Sequence, residues 1–359
     1  MKVLLLSRFS RIGSSSRLRL LQYVPYLQDR GIEVTCSPLL GDGYLNALYS
    51  GKRPKFGPII SAYVRRLAVL ASSHRYDLLW IEKELLPGLP AWPEFLTALF
   101  KVPYVVDYDD ATFFRYSEHE ARPVRALLGD KIDKVMRRSA LVIAGNDYLG
   151  ERARETGARR VEVLPTVVDL TRYRPPSNSN SFGSETFTIG WIGSPFTAKY
   201  LAIINSALEE VCARGRARIV LVGSGNVSLG SAPLEIRPWS ESREVADVQS
   251  FDIGIMPLSN KPWERGKCGY KLIQYMACAK PVIASPVGVN REIVRHGENG
   301  FLAETHADWV RSIDGLQSDP QLKSHMGQHA RKTVETRYSL QVTAPRMLSL
   351  LEEATRRSA

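Results

Sequence analysis

The sequence predicts an α/β protein of two Rossmann-like domains facing a central cleft, and three observations carry that prediction. Short β-branched runs alternate with longer amphipathic stretches, the rhythm of βαβ units around a parallel sheet. The rhythm runs through the N-terminal half, breaks at a polar Pro/Ser/Asn-rich stretch (PPSNSNSFGS, residues 175–184), and restarts. At 359 residues the chain exceeds what one ordinary core supports and suits two domains.

In chain order, residues 3–6 read as a first strand and 7–16 as a polar loop. A helix follows over 17–28, closed by Gly31, and then a strand over 32–36. Further strands are expected at 78–81, 104–107, 141–144 and 161–164. After the break they are expected at 187–193, 219–223, 253–256 and 281–284. Residues 339–356 have a helical pattern, expected to cross back to the N-terminal domain. The domain scheme is therefore 1–174, a linker over 175–186, a second domain over 187–338, and a C-terminal helix over 339–359.

Composition narrows the function classes. Hydrophobic residues make up 44% and charged residues 24%, as in an ordinary globular protein. Cys36, Cys212, Cys268 and Cys278 are scattered, without a CxxC pair or a neighbouring His cluster, which argues against a disulfide framework or a zinc site and fits a reducing compartment. The opening MKVLLLSRF reads as a strand and lacks the cleavage pattern of a signal peptide. No apolar run approaches the roughly 18–20 residues that span a bilayer. The formal charge of +11 favours anionic partners. No RNA- or DNA-binding signature accompanies it, so nucleic acid is not expected as a partner.

In open parallel sheets ligands bind where strands end, so the loops after strands are the candidate sites. In SRFSRIGSSSR (residues 7–17), Gly13 lets the backbone approach a ligand, and the serines and backbone N–H groups suit phosphate or sugar oxygens; a structural loop accounts for it equally. VVDYDDAT places Asp107, Asp109 and Asp110 at the end of a strand, more carboxylates than the capping of the next helix needs. In GWIGSPFTAK, Gly193 ends a strand and Lys199 follows, a point charge for a phosphate or a solvated surface group. Gly223 closes another strand. Arg237 and Trp239 lie in a nearby loop that could form a slot for a flat base, with Ser240 as the expected cap of the next helix. The strongest stretch is 263–288: Lys267 and Lys271 flank Gly269, and an apolar helix and a buried strand follow. A glycine-bearing loop feeding a helix start, with two lysines, suits a diphosphate.

These segments resemble the retaining GT-B glycosyltransferases of family 4. The resemblance rests on KLIQYMACAKPVIASPVGVNREIVRHGENGFL, AGNDYLGERA and VLPTVVDLTRY, and is most specific from Val163 to Leu302. It implies transfer of a sugar from a nucleotide-diphosphate sugar, most readily UDP- or GDP-linked, to a glycan or lipid-linked acceptor in cell-surface polysaccharide or glycolipid synthesis. It implies catalytic roles for Asp109, Lys199 and Lys271, and donor contacts from Gly13, Gly193, Gly223, Arg237, Trp239, Lys267, Tyr270 and Gln274. Gln274 takes the place of the second glutamate of the family's Glu-x7-Glu motif, Gly266 that of the first, and Asp109 that of a common histidine. No metal and no cofactor beyond the donor is expected. A sugar-nucleotide epimerase of the same fold and a non-catalytic relative are the alternatives.

Residues 51–70 mix Lys52, Arg53, Lys55, Arg65 and Arg66 with Phe56, Ile59, Ile60 and Tyr63. They read either as a basic amphipathic surface for anionic lipid or as a helix packed on the sheet. The expected location is cytoplasmic or peripheral on the inner face of the cytoplasmic membrane.

Overall fold

A computed structural model describes residues 1–52, 55–176 and 186–356, except the side chains of residues 98 and 99. Arg53 and most of the expected linker thus lie outside the described residues. The chain divides into two compact units. Unit 1 comprises Met1–Thr166, Gly266–Cys268 and Thr343–Ala359, and unit 2 comprises Val167–Arg265 and Gly269–Val342. The first boundary precedes the Pro/Ser/Asn-rich stretch, and the helix Leu340–Arg356 belongs to unit 1 from Thr343 onward.

The strands of unit 1 are β1 (Lys2–Leu6), β2 (Glu33–Cys36), β3 (Leu78–Glu82), β4 (Tyr104–Tyr108), β5 (Leu141–Ala144) and β6 (Val161–Val163). Those of unit 2 are β7 (Phe187–Ile192), β8 (Ala217–Val222), β9 (Leu234–Arg237), β10 (Ile253–Met256), β11 (Val282–Ala284) and β12 (Gly300–Leu302). Each unit holds one six-stranded sheet, in the orders β2-β1-β3-β4-β5-β6 and β12-β11-β10-β7-β8-β9. Every pairing is parallel, so both faces must be covered by helices. The central strands accordingly read as continuous apolar runs. In unit 2 the strand period of two sorts them into two cores. Ile192, Val220, Val222 and Met256 face one side, and Ile189, Trp191, Ile219 and Ile255 the other.

Each order contains a switch point. In unit 1 the chain leaves β1 for β2 on one side and then crosses to β3 on the other. In unit 2 it steps from β7 to β8 and β9, then returns to β10 on the other side of β7. At such points the connecting segments diverge and leave a crevice beyond the carboxyl ends of the strands.

Three expectations are corrected. The helix read over 17–28 is broken into Ser14–Arg19, a 3-10 turn Leu21–Tyr23 and Val24–Gln28, because Pro25 has no N–H and fits only a first turn. Ser240 does not cap a helix by its side chain. The helix Glu244–Gln249 starts later, and the Ser240 carbonyl accepts from the N–H groups of Arg243 and Glu244 in a preceding turn. Strands β9 and β12 were not read from the sequence. β9 is an edge strand of four residues, none of them buried, and β12 has three residues, so both are too short for their pattern to stand out.

Candidate functional site: the switch point of unit 2

Gly193 follows β7, and Gly223 follows β8 in the left-handed region, φ +73°. A side chain at Gly223 would put its Cβ 2.5 Å from the Gly193 carbonyl oxygen and 2.9 Å from Trp239 Cβ, so the two loops and Trp239 are in direct contact. Lys271, in the first turn of the helix Tyr270–Ala277, reaches the same place. Its Cε lies 2.8 Å from where a Cβ on Gly193 would stand, and its ammonium is 5.3 Å from the Trp191 ring centroid. Thus Gly193, Gly223, Trp239 and Lys271, distant in sequence, converge at the carboxyl ends of β7 and β8.

A buried polar chain fixes this cluster from behind. Trp239 Nε1 donates to Glu244 Oε2 at 2.8 Å. Tyr173 donates its hydroxyl to Glu244 and accepts from Gln274 Nε2 at 2.8 Å, and Tyr270 OH lies 3.5 Å from it. Burial, with Tyr270 and Glu244 beside it, pushes the Tyr173 hydroxyl well above its ordinary pKa, so it stays a neutral donor. Gln274 and Tyr270 are therefore tied through Tyr173 to Trp239. The sequence reading missed Tyr173 and the role of Glu244. The only available signal was a glutamate five residues after Trp239.

Lys199 is exposed, with its ammonium 5.3 Å from the Tyr200 ring, and lines a recess of about 520 Å³ with Pro195, Ala198, Asn205, Ser224 and Asn226. Arg237 is engaged elsewhere: its guanidinium binds Glu235 at 2.6 Å, Asp247 at 3.2 Å and Ser250 Oγ at 2.9 Å. Glu264 is buried. It accepts from the Tyr200 hydroxyl, and its Oε2 has no hydrogen-bond partner.

Three candidates belong to unit 1. Gly13 precedes the helix Ser14–Arg19, and a Cβ there would meet Phe9 Cβ at 2.4 Å. Asp109 binds Lys83 Nζ at 2.7 Å and accepts from the Ser15 hydroxyl. Burial opposes its charge, but Lys83 and these hydrogen bonds hold the Asp109 carboxyl below the usual carboxylate range. Lys267 lies 3.9 Å from Asp110, and Asn146 Nδ2 donates to the carbonyls of Gly266 and Lys267. Of the lysine pair flanking Gly269, Lys267 thus belongs to unit 1 and Lys271 to unit 2. None of the three aspartates caps the next helix, Phe114–Ser117, whose N-cap is Phe113 with no side-chain bond. Asp107 is held instead by Arg19, with Nε to Oδ1 at 2.8 Å and Nη2 to Oδ2 at 3.1 Å. Lys83, unread in the sequence, is buried with φ +63° and joins Asp109 to Asp110.

On the helix Phe56–Ala71, Arg66 is buried and donates to the carbonyls of Ser7 and Ser37, and burial pushes its guanidinium down to about 10. It is no surface cation, which corrects part of the basic face expected there. Ile59 and Tyr63 are half-buried. Phe56, Ile60 and Val64 form an exposed ridge, 82%, 61% and 61% accessible, beside exposed Lys55 and Arg65.

Residues 186–319 match the family model described as Glycosyl transferases group 1. The match lies within unit 2 apart from Gly266–Cys268. D-inositol 3-phosphate glycosyltransferase of Rhodococcus erythropolis is 27% identical over 221 residues, 54% of this chain and 49% of that protein. The Rhodococcus opacus protein of the same name is 28% identical over 223 residues, 55% of this chain and 48% of that one. The chain spans about half the length of these curated relatives. Among solved structures, sucrose-phosphate synthase from Thermosynechococcus elongatus matches at a TM-score of 0.75 with 14% identity over 98% of both chains. HepE from Anabaena in complex with UDP matches at 0.72 with 17% identity, over 98% of this chain and all of that one. The fold is GT-B. The matched segment contains Gly193, Lys199, Gly223, Arg237, Trp239, Lys267, Lys271 and Gln274.

Proposed function

We propose that the chain is a retaining glycosyltransferase that moves a sugar from a nucleotide-diphosphate sugar to a glycan or lipid-linked acceptor. The observation that carries this reading is the convergence of Gly193, Gly223, Trp239 and Lys271 at the switch point of unit 2. Two close backbone turns admit phosphate oxygens, and one partly sheltered ammonium stands beside them. HepE has been solved with UDP and with UDP-glucose, which supports a uridine nucleotide as the first donor to test.

In this reading the bond from the anomeric carbon to the diphosphate breaks through an oxocarbenium-like state. The acceptor oxygen bonds on the same face, and its proton passes to the departing diphosphate. The enzyme's part is to stabilise that departing charge with fixed donors and cations. Lys271 and Lys199 supply the charge, and Gln274 and Tyr270 hold the wall behind Trp239. Asp109, kept ionised by Lys83, is a weak base and serves as a polar contact on the acceptor side. Nothing in this scheme needs a metal, and no group of residues with metal-ligand character occurs among the described residues.

The test is release of nucleotide diphosphate from UDP-, GDP-, ADP- and TDP-sugars in excess EDTA, with and without an acceptor panel. Acceptor-dependent release in the chelator is expected. Loss of release in EDTA would remove the metal-free scheme, and conversion of the donor without acceptor would mark an epimerase.

The exposed ridge Phe56–Ile60–Val64, flanked by Lys55 and Arg65, supports peripheral contact with an anionic bilayer, where a lipid-linked acceptor would lie. The protein is expected to float with vesicles containing anionic lipid. Phe56→Asp with Ile60→Asp should abolish flotation while leaving the melting temperature unchanged, since both side chains are exposed. Equal flotation of wild type and variant would end the assignment.

A further inference from the structure

Glu244 opens the helix Glu244–Gln249 and is 2% exposed, yet the transfer scheme gives it no part. Three cationic or polar groups converge on its carboxylate. Trp239 donates its indole N–H at 2.8 Å, Tyr173 donates its hydroxyl, and Nη2 of Arg172 stands at 3.3 Å. The Tyr173 hydroxyl accepts in turn from Gln274 Nε2 at 2.8 Å. Arg172 is itself held by Glu241, through the carboxylate at 3.2 Å and through the carbonyl oxygen. A buried carboxylate with these partners stays where it is, because moving it would strand several polar groups in a low-dielectric interior.

The consequence falls on Trp239. An indole has one N–H and no acceptor, so with that N–H turned in to Glu244 the side chain offers a ligand only its ring. At its other end, Trp239 Cβ lies 2.9 Å from where a Cβ on Gly223 would stand. The half-buried ring is thus pinned between the loop after β8 and a fixed carboxylate. Ordering such a side chain before the ligand arrives removes a cost of binding, worth up to about tenfold in affinity. A ring face has no preference for one hydrogen-bonding edge over another, and every nucleobase has a face to lay against it.

We propose that Glu244 is a positioning residue of the donor site, acting through the indole N–H of Trp239 to set the ring against which the base of a nucleoside diphosphate stacks. This rests on the glycosyltransferase reading in taking the ligand to be a donor nucleotide. Its effect falls on nucleotide binding, whereas that of Lys271 falls on the departing charge.

UDP, GDP, ADP and TDP are titrated into the full chain by calorimetry, and the one that binds wild type most tightly is carried through Glu244→Gln, Trp239→Phe and the double variant. Glu244→Gln should weaken it about five- to tenfold. Trp239→Phe keeps a ring but has no N–H for Glu244, so it should bind about as weakly. Adding Glu244→Gln to Trp239→Phe should then cost less than about twofold more, since the two changes remove the same contact. With a turned-over donor, the Glu244→Gln loss should appear in KM with kcat within about twofold. Wild-type affinity in Glu244→Gln, an equal loss from Glu244→Gln with and without Trp239→Phe, or a loss carried by kcat would each overturn the proposal, the second by showing a merely structural role. Trp239→Phe leaves Glu244 paired with Tyr173 and Arg172, so it decides the matter by itself if Glu244→Gln does not fold: wild-type affinity there would also overturn it. Failure of all four nucleotides to bind wild type would remove the donor reading and this proposal together, whereas tight binding that ignores both variants removes the proposal alone.

Discussion

Lys271→Ala is expected to lower turnover at least about tenfold, or ~1.4 kcal/mol of transition-state stabilisation, without unfolding the protein. The ammonium stands beside Gly193 and over Trp191, where a departing diphosphate would gather charge. The half-buried stem makes the charge count for more than a fully solvated lysine would. The same loss is expected for Lys199→Ala. Because an interaction made mainly with the leaving charge acts in the transition state, the loss should appear in kcat and kcat/KM together, with little change in KM. Near-wild-type kinetics in both variants would remove these lysines from the site.

The largest expected effect on stability belongs to Arg19→Met. Arg19 is 1% exposed, holds Asp107 through two nitrogens and also donates to the Leu164 carbonyl at 2.7 Å. Burial opposes the charge on Arg19, but Asp107 outweighs it and raises the guanidinium. Burial pushes the Asp107 carboxyl up to about 6, with Arg19 pulling against it. Removing one partner of a buried pair leaves the other charge uncompensated, a loss of about 3–5 kcal/mol. At roughly 2–4 °C per kcal/mol for a unit of this size, unit 1 should melt about 10 °C lower at neutral pH.

The pH dependence has a definite sign. With Arg19 gone, the folded-state pKa of Asp107 rises further above its unfolded value. The folded state then binds more protons than the unfolded one between those two values, so stability falls as pH rises through that window. Arg19→Met should therefore recover part of its loss below about pH 6. Thermal melts of the variant from pH 5 to pH 8 check both statements. A melting temperature like that of wild type across this range would show that the pair does not hold the unit.

Sequence legibility followed burial. β5 and β10 were read with their observed bounds because strands covered on both faces are unbroken apolar runs. β9 and β12 escaped because edge and three-residue strands carry no such run. At the candidate site, glycines after strands were visible as such, so Gly193 and Gly223 could be named. Their contact with each other and with Lys271 is a tertiary fact that no local pattern encodes. Tyr173 reads as an ordinary core tyrosine, and its link from Gln274 to Glu244 depends on where three separate segments fold. Asp107, Asp109 and Asp110 look alike in sequence. Their partners Arg19 and Lys83, 88 and 26 residues from the first two, separate a buried structural pair from a polar cluster.

Binding of a nucleoside diphosphate to the wild-type chain tests the central claim most directly. UDP, GDP, ADP and TDP are added in turn and the melting temperature is followed. The account predicts that at least one of them raises it, approaching about 2.7 kcal/mol of stabilisation at a hundredfold excess over the dissociation constant. The rise should shrink in Lys271→Ala. No shift with any of the four at millimolar concentration would contradict the account.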